Sequence, residues 1–144
     1  MTTFSASVGA WILKSKRRTD YVFLQSVQDV IDVMQKPVGA GGNMPVDTGF
    51  LRASLDVKNG SMPTGFKTKT KYEAGSYVLN DVAYTLTISK AHAGDILYAV
   101  YLANYAWFQE YGSQGRNGRA FVRLAAMQWK RIVSDNVRKA QAVK

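Results

Sequence analysis

The chain contains no cysteine and a single histidine, His92. The first absence excludes a disulfide framework and thiolate metal sites. The second removes most zinc and histidine-base chemistry, and a Ser/His/Asp or Cys/His nucleophile set is not expected. Acidic residues are also scarce, 10 Asp+Glu against 19 Lys+Arg. They are scattered, with only Asp29 and Asp32 closely spaced on one helical face, whereas a magnesium-dependent nuclease needs several converging acids. Nothing marks a carboxylate pair for glycoside chemistry. The expectation is a protein that is not an enzyme and holds no cofactor or metal.

Long apolar runs are missing too. The longest, Ile96 to Phe108, is interrupted by Asn104 and falls short of the ~20 residues a bilayer span requires. Val8 to Leu13 is short, and its basic cluster Lys14, Lys16, Arg17 and Arg18 follows it, the reverse of a signal peptide. The reading is a soluble protein made in a cytoplasm, with no membrane contact. With 144 residues the chain is expected to form one domain over residues 1–144. Its net charge of +9 points to a polyanionic neighbour, nucleic acid or an acidic protein surface.

The chain does contain clear periodicities. Val8, Trp11, Ile12, Val22, Phe23, Val27, Val30, Ile31 and Met34 recur at spacings of three and four, predicting a long amphipathic helix from about Ser7 to Gln35. Pro37 ends it, because the residue before proline is pushed out of helical geometry. Val38 to Asn43, glycine-rich and lacking a Gly-Lys-Ser/Thr ending, reads as a flexible connection and not a phosphate loop. A short helical turn from Thr48 to Ala53, capped by Asp47 or Thr48, leads to a strand beginning at Leu55. Lys67, Lys69 and Lys71 alternate with threonines, so an extended strand would place all three on one face, as a guarded edge or a basic rib. Val82, Tyr84, Leu86 and Ile88 alternate with Ala83, Thr85, Thr87 and Ser89 and predict a strand, hairpin-paired through the His92 turn to a second at Asp95–Tyr101. Leu102 to Tyr111 predicts a short helix, and Arg119 to Ala140 a single basic C-terminal helix. The fold class expected is α+β: N- and C-terminal helices packed on a small, mainly antiparallel sheet, with a long basic hairpin loop.

Two segments stand out. Pro45-Val46-Asp47-Thr48-Gly49-Phe50-Leu51-Arg52-Ala53-Ser54 follows the first helix. Tyr105-Ala106-Trp107-Phe108-Gln109-Glu110-Tyr111-Gly112-Ser113 carries the densest aromatics and is followed by Phe121 and Ala125 at a helix start. In order and spacing the chain resembles the tail-completion or head–tail joining (neck) family of tailed bacteriophages. Pro45, Val46, Asp47, Thr48, Gly49, Leu51, Arg52 and Ser54 match its first motif. Tyr105, Ala106, Phe108, Glu110, Tyr111 and Gly112 match the second, with Ser113 where that family has threonine. Phe121 and Ala125 match the helix start, but Ala120 stands in place of the usual proline. The basic stretch from Asn59 to Lys71 has no counterpart in that pattern.

The resemblance implies a virion structural protein that forms a ring of about six copies in the head–tail connector. It would be assembled in the host cytoplasm, contact adjacent connector and tail-tube proteins, and let double-stranded DNA pass by non-specific electrostatics. Motif and interface residues are then Pro45, Asp47, Thr48, Gly49, Leu51, Arg52, Tyr105, Glu110, Tyr111, Gly112 and Phe121, and channel residues are Lys67, Lys69, Lys71, Arg116 and Arg119. Asp47, Thr48 and Arg52 are expected to form a network against Glu110 and Tyr111. Three alternatives stay open: a tail terminator or head-closure protein of the same connector, a sequence-independent nucleic-acid-binding protein, and a metal-dependent nuclease.

Overall fold

The computed structural model describes residues 3–143. Helix α1 spans Phe4–Gln35, 32 residues, and so extends about 48 Å at 1.5 Å per residue. Thr3 caps it by accepting the Ala6 N–H at 3.2 Å, and Lys36, extended ahead of Pro37, ends it where the sequence places the stop. Two short helices, α2 (Phe50–Ala53) and α3 (Val82–Ser89), precede α4 (Ala106–Tyr111), α5 (Phe121–Ala126) and α6 (Trp129–Ala142). Strand β1 (Leu55–Asn59) pairs antiparallel with β2 (Leu97–Tyr101), Leu55 opposite Tyr101 and Asn59 opposite Leu97. A second, minimal antiparallel pair joins β3 (Gly112–Ser113) to β4 (Arg116–Asn117). The class is α+β as expected. Among the described residues no helix is long and apolar enough to cross a membrane.

Several elements differ from the periodicity reading. Val82 to Ile88 is helical, not a strand, and β2 therefore pairs with β1, its neighbour at long sequence range. Both periods share Tyr84 and Ile88, and these two side chains are the ones buried, against Ile31 and Val57. The Thr87 and Ser89 hydroxyls donate back to the Ala83 and Leu86 carbonyls, a use of Thr and Ser that an isolated helix tolerates poorly and packing overrides.

The C-terminal helix is two helices, broken at Met127–Gln128. There the Gln128 N–H reaches the Ala125 carbonyl, three residues back, and the tightened turn separates α5 from α6. α6 packs on α1, not on the sheet: buried Asn136 donates to Ser26 Oγ at 3.2 Å and Asp29 Oδ2 at 2.8 Å, and Arg18 donates to the Val143 carbonyl. These contacts set the two helices antiparallel. Near its start α1 leaves Phe4, Trp11 and Ile12 exposed.

The lysine stretch forms no hairpin. Lys67 makes one parallel bridge to Ala103, and the rest of 68–81 is irregular, so the three lysines share no strand face. That bridge also delays α4, because Leu102 and Asn104 are engaged by Lys67 before the helix starts at Ala106. The glycine-rich connection is not loose. A parallel bridge joins Pro37 to Met44, the Val38 N–H donates to the Met44 carbonyl, and Met44 is wholly buried. A side chain at Gly42 would strike the Lys36 carbonyl at 2.0 Å, so the loop closes only on glycine.

Candidate functional site at the junction of two motifs

The two motif segments meet in one core. Met44, Phe50 and Leu51 pack with Ala103 and Phe121, and Tyr77, Tyr101 and Tyr105 border them. Phe50 lies 4.9 Å from Tyr77 and 6.1 Å from Tyr105 between ring centroids, and Tyr101 meets Phe121 edge-on at 5.2 Å. Offset and edge geometries of this kind are favoured by the ring quadrupoles.

The first motif is held by its backbone. Thr48 is buried, and its Oγ1 accepts the Phe50 N–H at 3.3 Å. The Asp47 and Thr48 carbonyls accept the Gly75 and Tyr77 N–H groups at 3.0 and 2.8 Å. Gly49 has φ +84°, and a Cβ there would fall 2.3 Å from the Tyr77 carbonyl oxygen. The 66–77 segment is thus laid directly on the motif, and only glycine fits beneath it. Tyr77 fastens that segment from the other side: its phenol oxygen accepts the Thr70 and Lys71 N–H groups at 2.9 and 3.0 Å. The Thr70 hydroxyl and these N–H donors stabilise a phenolate and lower the Tyr77 pKa.

Arg52 does not reach Glu110, and the expected network between the motifs is not what joins them. Arg52 Nε donates to the Gln35 carbonyl at 2.9 Å, while Gln35 Nε2 donates to the Arg52 carbonyl at 3.1 Å. Tyr101 completes this lock by donating its hydroxyl to Gln35 Oε1 at 2.7 Å. Burial pushes the Tyr101 phenol well above the ordinary tyrosine range and raises Tyr105 in the same way. Gln35 and Tyr77 carry no local signal in the sequence, because their partners lie 17 or more residues away or on irregular backbone.

Glu110 works within the second motif. Its carboxylate accepts the Val122 and Arg123 N–H groups, each at 2.9 Å, and so caps α5 from a distance. Arg123 pairs with it at 3.0 Å and stacks on Tyr111 at 4.3 Å from the ring centroid. The helical pattern places Arg123 on a solvated face, so its pairing escapes a reading by period. Gly112 at φ +93° and Gly118 allow β3 and β4 to close: a Cβ on either would meet backbone within 2.3 Å.

The basic candidates divide. Lys69 and Arg119 line one cavity of about 470 Å³ with the Pro45–Leu51 segment, Tyr105 and Gln109. Arg119 and Arg116 line a neighbouring one of about 450 Å³, which Gln109 also borders. Lys67 and Lys71 are exposed and are held by their backbones. Among the described residues none of these five cations has a carboxylate within ion-pair distance. His92 is a solvent-exposed turn residue whose Nδ1 lies 3.3 Å from Asp20 Oδ2, and the Ala93 N–H donates to Asp20 Oδ1 at 2.8 Å.

Beside the junction Phe66 and Trp107, 87% and 67% exposed, line one open groove with Phe121 and Val122. Trp107 stacks on Tyr111 with centroids 4.2 Å apart. Comparison of the chain with family models, curated proteins and solved structures returns no match.

Proposed function

We propose that the chain is a structural subunit of the head–tail connector of a tailed phage or phage-like particle, acting by shape and contact. The reading rests on the resemblance of the two motifs. The observation that carries it is a pair of exposed apolar surfaces at different places on one chain: Phe4, Trp11 and Ile12 on α1, and Phe66 and Trp107 beside the motif junction. Large exposed apolar surface marks an interface, and two unlike patches suit a head-to-tail contact that closes into a ring. Lys67, Lys69, Lys71, Arg116 and Arg119, without ion-pair partners among the described residues, supply diffuse charge without base readout, as a channel for passing DNA requires. Tail terminator and head-closure stations satisfy the same features.

A second reading, sequence-independent nucleic-acid binding, is favoured by the Trp107–Tyr111–Arg123 stack, a surface on which bases can lie. Sedimentation and electron microscopy of the purified protein, alone and with tail tubes, decide between them. Rings or tube-end binding support the connector. A chain that stays monomeric at all concentrations, ignores tubes, and binds single strands tightly with a steep salt slope overturns it.

A further inference from the structure

We propose that the cavity between the two motifs is a binding pocket for an acidic peptide segment of another protein, with a carboxylate held by Lys69 and Arg119 and an apolar side chain seated beside it. The volume, about 470 Å³, lies in the range of ligand pockets, ~300–1,000 Å³. Its wall is assembled from five separated parts of the chain: Val38, the 45–51 segment, Lys69, the stretch with Tyr105 and Gln109, and Arg119.

The Lys69 ammonium and the Arg119 backbone are held before any partner arrives. Lys69 Nζ sits 5.1 Å from the Tyr72 ring and 5.5 Å from the Tyr105 ring, which restrains the ammonium without neutralising it. Its segment is fastened by the two N–H bonds to the Tyr77 oxygen. The Arg119 backbone is fixed by its N–H donating to the Gln109 carbonyl at 2.7 Å. Neither cation has an acidic partner among the described residues, so a carboxylate entering between them displaces no internal ion pair. Preorganised, unpaired charge lowers the ordering cost of binding.

The rest of the lining selects the class. Val38, Pro45 and Val46 offer apolar surface, which a sugar–phosphate chain cannot use, and Gln109 offers an amide for a peptide backbone. A DNA duplex is too wide to enter a cavity of this size and could touch only its rim. Asp47 also lines the cavity and opposes every anion that enters, so Lys69 and Arg119 must outweigh it for a carboxylate to bind.

The test is a titration of ¹⁵N-labelled protein with the peptide acetyl-Leu-Glu-Leu-Asp-Leu-amide, with its Gln/Asn counterpart, and with short oligothymidylate. Saturable shifts at the Val46–Leu51 and Gln109 amides with the acidic peptide are expected. The affinity should fall about tenfold or more in Lys69→Gln and in Arg119→Gln, and to a similar degree for the uncharged peptide. Both side chains reach solvent, so circular dichroism should be unchanged in the variants. Three results would overturn the pocket: no saturable shift, shifts confined to the Lys14–Arg18 face, or affinity untouched by both substitutions. Oligothymidylate shifting the same amides at lower concentration would assign the cavity to nucleic acid and overturn it equally. The titration reads the single chain, so its failure leaves the ring reading standing, and a monomeric chain leaves the pocket standing.

Discussion

Glu110 and Arg123 hold each other twice: the guanidinium Nε donates to Glu110 Oε1 at 3.0 Å, and Nη2 donates to the Glu110 carbonyl at 2.9 Å. The carboxylate is nearly buried at 8% exposure, whereas Arg123 is half in solvent at 49%. The two partners should therefore not cost the same to remove.

Glu110→Ala leaves the Val122 and Arg123 N–H groups without an acceptor and should destabilise the fold by about 2–3 kcal/mol. Arg123→Ala breaks a half-exposed pair and should cost about 1 kcal/mol. Urea denaturation midpoints measure both, and equal losses would contradict this asymmetry.

Ala120 sits at φ +50°, in the left-handed region, and donates its N–H to the Glu110 carbonyl at 3.1 Å. Ala120→Gly should stabilise the protein by about 1 kcal/mol by removing the Cβ strain. Ala120→Pro cannot adopt that φ and loses the donor, so it should destabilise by ~3 kcal/mol or more. Thermal melts of the two variants should move in opposite directions.

Arg52 and Glu110 share no partner, so Arg52→Ala and Glu110→Ala should add to within about 0.5 kcal/mol. Arg52→Ala and Gln35→Ala should be clearly non-additive, since each removes the same lock. Two double-mutant cycles test this, and coupling in the first but not the second would reverse the assignment.

Gly49→Ala introduces a methyl where the Tyr77 carbonyl lies at 2.3 Å, at a φ that disfavours alanine. The 66–77 segment should lift, and trypsin should cut at Lys67, Lys69 and Lys71 several-fold faster than in the parent chain. Unchanged cleavage would mean the segment is held elsewhere.

Tyr101 has a folded pKa raised by burial, so the folded state resists its ionisation while the unfolded chain ionises near pH ~10. Its contribution is therefore intact below that range and is lost as pH rises through and beyond it. Tyr101→Phe should be less stable near neutrality, having lost the bond to Gln35, and should show a shallower alkaline fall in denaturation experiments.

The parts of this fold legible in the sequence are those fixed by nearby residues. The period and proline stop of α1 and the start of β1 appear where the pattern places them, because each is set by interactions a few residues apart, whereas α2 and α4 end where expected, at Ala53 and Tyr111, but start later, at Phe50 and Ala106. That the two motifs share a core could be anticipated from their density, but the bonds joining them could not. Arg52 turned to Gln35 and Glu110 to α5, because partner choice there depends on which backbone acceptors and donors packing leaves unfilled.

Val82–Ser89 shows the division most clearly. Its side chains fit both a strand and a helix, and the local pattern has no means of choosing. What decided was that β1 takes β2 as its partner in full register, leaving Tyr84 and Ile88 to cover Ile31 and Val57 from a helix. The sequence alone determined the charge, the long first helix and the residue types at the junction. Tertiary packing decided the strand pairing, the break before α6 and the bringing of Lys69 and Arg119 to one cavity, because those depend on contacts between segments whose separation no short-range period can encode.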